Sequence, residues 1–195
     1  MRGSIISVLL CCLVASEAPR AERRRLEAYN YQEVAKLTAS DAAFRDYFGV
    51  SVAIDGNTIV VGANQQYWDG SSWIDVGPGA VYAFRTTDSG ATYGQVAKLT
   101  AAADAAVYDY FGASVAIDGA TVVVGAYAQT AVCLSCKSAV YVFRTTDGVT
   151  YDRVAKLTAS DAAANDEFGI SVAIDGGTVV ISGARRPLLQ TSPCG

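Results

Sequence analysis

The sequence contains no histidine, a single methionine and four prolines. Without histidine, the chain cannot form a Ser-His-Asp triad, a histidine general base or a histidine-ligated metal site. The scarcity of proline beside 18 glycines is typical of strands and tight turns rather than of linkers. Apolar residues make up 51% of the 195 residues, which excludes a disordered chain and is enough for one sizeable core.

Basic charge is scarce in the body of the chain. Residues 26–184 hold 8 Lys and Arg against 17 Asp and Glu, a balance of −9, whereas the whole chain has a formal net charge of −4. An acidic surface repels the phosphate backbone of nucleic acids. We therefore expect no nucleic-acid partner.

The apolar stretch at the N-terminus is too short to span a bilayer. Residues 5–14 follow Arg2 and precede the small residues Ala15 and Ser16, which is typical of a secretory signal. We predict a signal peptide at residues 1–18 and a linker at residues 19–30, with a cytosolic apolar segment or a misplaced start codon as alternatives. A signal peptide implies that the protein is secreted or lies at the cell surface. We expect membrane association only if an anchor follows residue 195.

One pattern occurs three times, at residues 46–63, 109–126 and 166–184. Phe-Gly lies near the start of each copy, Asp-Gly lies in the middle and Gly-Ala closes it. The segment Val-Ala-Lys-Leu-Thr recurs between the copies, and the whole unit is about 60 residues long. A fixed period in this range is typical of propellers, solenoids and arrays.

Each unit has the pattern of four short antiparallel strands and no convincing helix. In the second unit, residues 114–117 and 121–125 flank Asp118 and Gly119, a dipeptide typical of a two-stranded hairpin. Residues 121–124 are apolar on both faces of the predicted strand, so their sheet must be covered on both sides. Stacked blades of a β-propeller provide that cover, and we predict an all-β fold.

Phe-Gly followed about fourteen residues later by Gly-Ala, in an acidic four-stranded unit, resembles the FG-GAP repeat of integrin α-subunit propellers. It resembles still more closely the FG-GAP-like repeats of microbial and algal surface proteins. The resemblance covers residues 31–184, but the Pro that completes the family motif is replaced in all three copies. The replacements are Asn64, Tyr127 and Arg185.

The resemblance implies β-propeller blades at residues 48–100 and 111–158, and the first two strands of another at residues 168–184. Residues 31–38 are predicted to be the outer strand of a further blade, which gives eleven strands, and residues 185–195 an irregular tail. Propellers of this family usually have seven blades. We therefore expect an incomplete propeller: a fragment, a truncated product, or one subunit of an assembled ring.

Calcium is the cofactor that the resemblance implies, because integrin-like propellers bind it through alternating carboxylates ahead of a Gly in their blade loops. The corresponding acids are Asp55, Asp118 and Asp175. Each has Ala two residues earlier, at Ala53, Ala116 and Ala173, so the alternating carboxylates are absent. We interpret these acids as turn residues and predict no metal ligands and no cofactor, although calcium stays open.

A second set of acids recurs as pairs five residues apart: Asp41 with Asp46, Asp104 with Asp109, and Asp161 with Asp166. Each pair brackets a linker that leads into the next inner strand. Two such carboxylates are compatible with a cation site between blades. The preferred interpretation is that Ser40 and Asp41 cap a short turn, because Asp accepts hydrogen bonds from free backbone N–H groups.

Cys133 and Cys136 lie in a predicted loop of the second blade. No second cysteine pair and no histidine are present to complete a zinc site, and a redox CxxC motif would normally open a helix. If the protein is secreted, a small loop disulfide between the two is the preferred interpretation, which leaves Cys194 unpaired.

The corresponding loop of the first blade, residues 64–79, contains the only two tryptophans. Loops on rigid scaffolds often carry recognition, and aromatic residues are typical anchors. We predict that Trp68, Trp73 and Tyr67 bind a ligand; the alternative is that the Trp rings pack over a blade edge.

Three functions remain open. The first is a noncatalytic extracellular recognition or adhesion module for a protein or glycan, which rests on the family resemblance. The second is an enzyme scaffold such as a hydrolase or lyase, although no nucleophile motif is present and we predict no catalytic residues. The third is a piece of a larger propeller without its own activity. Because an open arc exposes apolar faces, self-assembly into a ring is a further expectation.

Overall fold

A computed structural model of the protein describes residues 6–8, 33–68, 71, 73–75, 77–104, 108–127, 138–161 and 166–183. Within these ranges the chain forms fourteen β-strands and one 3-10 helix, Ala102–Asp104. The strands are β1 (Ile6–Val8), β2 (Ala35–Leu37), β3 (Phe48–Asp55), β4 (Thr58–Ala63), β5 (Gln66–Trp68), β6 (Trp73–Asp75), β7 (Ala80–Arg85), β8 (Gly94–Leu99), β9 (Ser114–Asp118), β10 (Thr121–Ala126), β11 (Ala139–Thr145), β12 (Tyr151–Leu157), β13 (Ser171–Asp175) and β14 (Thr178–Ser182). None of the helical structure in these ranges has the length and apolar character that a membrane-spanning helix needs.

The fourteen strands form two four-stranded and three two-stranded antiparallel sheets. Blade 1 has the order β3-β4-β7-β8 and blade 2 has the order β9-β10-β11-β12. The hairpin β13-β14 repeats the first two strands of a blade. The inner strands β3, β9 and β13 lie side by side, as in a propeller. The predicted all-β fold built from four-stranded blades is confirmed.

Three strands were not predicted. β1 pairs with β2, the strand predicted to be the outer strand of a further blade, and β5 pairs with β6 inside the predicted loop of blade 1. The strands β1, β5 and β6 are rich in β-branched or aromatic residues, which favour strands once a partner edge is available. β1 lies within the predicted signal peptide, whose removal stays a prediction.

The hairpins predicted at the Asp-Gly dipeptides form, but their two central turn residues lie one position later than expected. Asp118 is the last residue of β9 and pairs with Thr121, so the central turn residues are Gly119 and Ala120. Gly119 has a φ of 54°, which an L residue with a side chain rarely adopts. Asp55, Asp118 and Asp175 each end a strand and pair with the residue that follows the two central turn residues, so each occupies the first position of its four-residue turn.

The core lies between successive blades. We call the side of a blade that faces the preceding unit its front face and the opposite side its rear face. Val60 and Val81 on the rear face of blade 1 are fully buried and belong to one cluster with Val115, Ile117 and other front-face residues of blade 2. The front face of blade 1 holds a second cluster, to which Leu37 of β2 contributes. Strands that are apolar on both faces are thus covered by stacking.

The repeated Phe-Gly and Gly-Ala motifs meet at the joint between two blades. Ser51 Oγ of blade 1 donates a hydrogen bond of 2.7 Å to the carbonyl of Gly112 in blade 2. Ser114 Oγ donates in the same way, at 2.7 Å, to the carbonyl of Gly169. A Cβ added to Gly62 would lie 2.0 Å from the Gly112 oxygen. The small residues of the repeat therefore permit close contact between backbones of neighbouring blades.

The third unit departs from this pattern at one position. Ser171 pairs with Ser182, just as Ser51 pairs with Gly62 and Ser114 with Gly125. Ser182 therefore brings a side chain to the position where the joints seen in the chain have glycine.

Candidate functional site

The hairpin β5-β6 extends from blade 1 between β4 and β7 and is held at its base by Gln65. The backbone N–H of Gln65 donates to the carbonyl of Asp46 at 3.1 Å, and its side-chain Oε1 accepts from the N–H of Gly79 at 3.2 Å. A Cβ at Gly77 would lie 2.0 Å from the same Oε1, so only glycine leaves room for this side chain. Gln65 thereby connects the two ends of the insertion to the blade.

The backbone register brings the three predicted ligand-binding residues into this one hairpin. Trp68 is paired with Trp73, and Tyr67 with Ile74. The side chains of these residues lie outside what the structure describes, so ligand binding by Trp68, Trp73 and Tyr67 stays a prediction. Cys133 and Cys136 also lie outside the described residues, and their disulfide stays a prediction.

Exposed aromatic residues lie beside the base of the hairpin and were missed by the sequence analysis. Phe44 is 75% exposed, with the Arg45 guanidinium 4.8 Å from its ring centroid, and Tyr47 is 38% exposed. Both aromatics lie within two residues of Asp46, whose carbonyl binds Gln65. The available signal was a departure from the repeat, because Phe44 corresponds to Val107 and Ala164 in the other units.

The first acid of each linker pair has a structural contact in both complete blades. Asp41 Oδ2 lies 2.5 Å from Lys98 Nζ on the outer strand β8, and Lys98 Nζ lies 5.4 Å from the centroid of the Tyr82 ring. The hydrogen bond from Lys98 lowers the pKa of Asp41, and burial, followed by the hydrogen bond to Asp41, raises the pKa of Tyr82 to about 12. This cluster fastens the linker to the blade that follows it.

Blade 2 repeats the cluster with different basic residues. Asp104 Oδ2 lies 2.5 Å from Arg153 Nη1 and 3.7 Å from Lys156 Nζ, and Lys156 Nζ lies 5.4 Å from the Tyr141 ring centroid. The hydrogen bond from Arg153 is the main reason that the pKa of Asp104 is lowered. These carboxylates face cations of the protein itself.

The interpretation of Ser40 and Asp41 as a turn cap is wrong. The backbone N–H of Ser40 donates to Gln95 Oε1 at 2.9 Å, and the carboxylate of Asp46, not of Asp41, accepts from the N–H of Ala43. The reason is that Lys98, which is distant in sequence, reaches the Asp41 carboxylate. In the described part of the chain, no three acidic or cysteine side chains come together as a metal-sized cluster.

Polar contacts between blades line an open cleft of about 280 Å³ at the hairpin-turn end. Asp55 Oδ2 accepts a hydrogen bond of 2.6 Å from the N–H of Gly119, the turn residue of the next blade. Arg85 Nη1 donates to the carbonyl of Asp147 at 3.1 Å. These contacts connect blade 1 to blade 2 and give the cleft a structural role.

The loops that close each blade at this end are ordered by a Thr-x-Asp pattern. Asp147 accepts from the N–H groups of Thr150 and Val149, and these bonds strongly lower its pKa. The pKa of Asp88 in blade 1 is also strongly lowered, chiefly by the hydrogen bond from the Thr86 hydroxyl. A carboxylate that accepts several hydrogen bonds in the folded loop is stabilised in its charged form.

Comparison with protein-family models gives a match to the FG-GAP repeat at residues 31–84, 93–143 and 151–186, together more than half of the chain. The matched regions are offset from the blades by one strand, because the first two begin with the outer strand β2 or β8 and end within the third strand of the blade that follows. Comparison with curated proteins gives no match.

Proposed function

The chain belongs to the FG-GAP repeat family, and on this premise we propose that it is a noncatalytic recognition or adhesion module that acts outside the cell or at its surface. Its partner is a protein or a glycan, bound at the β5-β6 hairpin of blade 1. Propeller-type modules of this kind present variable loops on a fixed stack of sheets, which is the usual arrangement for recognition.

One observation carries the proposal: an insertion with aromatic residues projects from a blade that is otherwise a close copy of its neighbour. Gln65 ties both ends of this insertion to the blade through the backbone of Asp46 and Gly79. A hairpin held at its base loses little conformational freedom on binding, which favours affinity. Exposed Phe44 and Tyr47 beside that base extend the aromatic surface.

The location outside the cell is supported by the signal-like composition of residues 1–18. The absence of catalysis is supported by the absence of histidine from the sequence. Because Ala53, Ala116 and Ala173 stand where calcium-binding loops of the family carry carboxylates, we propose ligand binding that does not depend on calcium.

The test is an array of glycans and extracellular proteins probed with the purified chain, followed by affinity measurement on each hit. We expect Trp73→Ala and Phe44→Ala to weaken binding at least about tenfold while the melting temperature stays unchanged. The matched control is Val149→Ala, because Val149 is 50% exposed in the turn between β11 and β12, outside the hairpin and its base.

Equal affinity of the wild type and both aromatic variants would refute the hairpin as the binding site. Chelation of divalent cations with EDTA should leave the affinity unchanged, and loss of binding on chelation would refute the calcium-independent mode.

A further inference from the structure

Equivalent residues of blades 1 and 2 differ sharply in exposure. In blade 2, Val115 and Ile117 of the front face are each 9% exposed, because the rear face of blade 1 covers them. The same positions in blade 1 are Val52 and Ile54, which are 56% and 53% exposed. The inner-strand part of this front face is therefore apolar and exposed in the described structure, whereas its neighbours on β4, Ile59 and Val61, are buried in the cluster that includes Leu37.

At the other end of the stack, in the third unit, it is the rear face that is exposed. Val60 and Val123 on the rear faces of blades 1 and 2 are fully buried under the unit that follows. Their equivalent in the third unit is Val180, which is 62% exposed. The chain thus ends its described stack with a rear face of the kind that covers Val115 and Ile117 within the chain.

We propose that these two faces bind each other between two copies of the chain, head to tail. The rear face of the β13-β14 hairpin of one copy packs on the front face of blade 1 of the second copy. The joint repeats the two joints inside the chain, and it is heterologous, so each copy contributes a different surface.

Strand β2 shows why the β13-β14 hairpin is the occupant. Leu37 of β2 packs in the front-face cluster of blade 1, and its counterpart Leu99 on the outer strand β8 packs in the cluster in front of blade 2. β2 thus takes the place of the outer strand of a further blade, and within the part of the chain that the structure describes it pairs only with β1. The β13-β14 hairpin is a pair of inner strands without an outer strand in the described part of the chain. β2 lies outside residues 1–18, whereas its paired strand β1 lies within them.

Polar groups at the two ends also match. Ser51 and Ser114 each donate to the carbonyl of the Phe-Gly glycine in the following unit. Their equivalent is Ser171, which is exposed, and the corresponding acceptor in a second copy is the carbonyl of Gly49. Asp175 corresponds to Asp55, whose carboxylate binds the turn N–H of the next blade.

Ser182 makes this joint weaker than the joints inside the chain. It occupies the position of Gly62, where a Cβ would lie 2.0 Å from the carbonyl of the incoming glycine. The second copy must therefore approach less closely. Ser182→Gly removes this obstacle and should strengthen the association about tenfold.

Sedimentation velocity of the purified chain, from about 1 to about 100 µM, measures the association without any ligand. We expect a mass that rises with concentration to two or more copies. Val52→Lys and Val180→Lys should each abolish the association, since a charged side chain cannot be buried in an apolar joint without a partner. Both positions are exposed in the single chain, so both variants should fold.

Mixing the two variants gives the sharpest result. Val52→Lys keeps an intact rear face and Val180→Lys keeps an intact front face, so an equimolar mixture should form a dimer that grows no further. Val149→Lys, at a position outside both faces, should associate as the wild type does.

A wild type that stays monomeric throughout the range would overturn the proposal. A mixture that forms no dimer, or a single variant that associates normally, would overturn it as well. Since no ligand is present, these results do not depend on whether the β5-β6 hairpin binds a partner.

Discussion

Replacement of Gly62 by alanine tests whether the repeat glycines exist to bring neighbouring blades together. The new Cβ would lie 2.0 Å from the carbonyl oxygen of Gly112 and 2.3 Å from Ser51 Oγ. The first of these atoms is backbone of blade 2, so the methyl group can be accommodated only if the joint opens. Opening it also lengthens the 2.7 Å hydrogen bond between Ser51 and Gly112.

The expected cost follows from these contacts. Overpacking of a close-packed interior costs about 1–3 kcal/mol, and loss of the hydrogen bond costs about 1 kcal/mol. The lower entropy of the unfolded chain with alanine returns about 0.4–1 kcal/mol. The free energy of unfolding should therefore fall by about 1–3.6 kcal/mol, which corresponds to a melting temperature lower by about 2–14 °C.

Urea and thermal unfolding followed by circular dichroism measure this change. Gly94→Ala is the matched control, because a Cβ at Gly94 meets nothing within 4 Å, and its effect should stay within about 0.5 kcal/mol or be slightly stabilising. A double-mutant cycle with Ser51→Ala should show coupling of about 0.5–3 kcal/mol, since the two side chains would share one space. Equal stability of the Gly62 and Gly94 variants would refute this explanation of the repeat.

Three further predictions concern the joints and the linker cluster. In the dilute monomer, Val115→Ala should reduce the free energy of unfolding by about 1.5–3 kcal/mol and Val52→Ala by less than about 0.5 kcal/mol, because only the first is buried; equal losses in urea unfolding would contradict the stacking. Ser114→Ala should cost about 1 kcal/mol and speed hydrogen exchange in the third unit, since it removes the bond to the Gly169 carbonyl; unchanged exchange would count against that joint. Because burial raises the pKa of Tyr82 from 10.0 to about 12, its contribution to stability is complete below pH 10 and is lost as the pH rises to about 12. Tyr82→Phe should therefore reduce the loss of stability between about pH 10 and about pH 12, and an unchanged pH profile would show that another group is responsible.

The blades could be predicted from the sequence because their signals are local. Turn glycines such as Gly119 follow directly from the need for a positive φ, and the strand pattern of residues 121–124 requires cover on both faces. The repeat then supplied the number of strands in each blade. These features depend on residues a few positions apart, so no knowledge of distant contacts was needed.

The candidate site was predicted only in part. The unusual composition of residues 64–79 indicated the insertion, but its hairpin and the role of Gln65 depend on contacts with Asp46 and Gly79. The exposed Phe44 was missed because its neighbours follow the ordinary linker pattern. Its exposure is a property of the folded surface.

Contacts between residues distant in sequence account for the error at the linkers. Asp41 has the local sequence of a turn cap, yet its carboxylate binds Lys98, 57 residues later. The few residues around Asp41 are compatible with a carboxylate that binds a nearby N–H group. They are equally compatible with one that binds a distant lysine. The positions of β2 and β8 relative to the linker decide between them.

By itself, the sequence determined the unit of this protein: four strands, their turns and the residue types that alternate on each face. Only the tertiary structure decided which faces of each unit are covered by a neighbouring unit and which are exposed to solvent. Val52 and Val115 stand in the same five residues, Ser-Val-Ala-Ile-Asp, yet one is 56% exposed and the other 9%. The physical reason is that a strand fixes which side of a sheet a side chain lies on, whereas burial depends on whether another blade packs against that side.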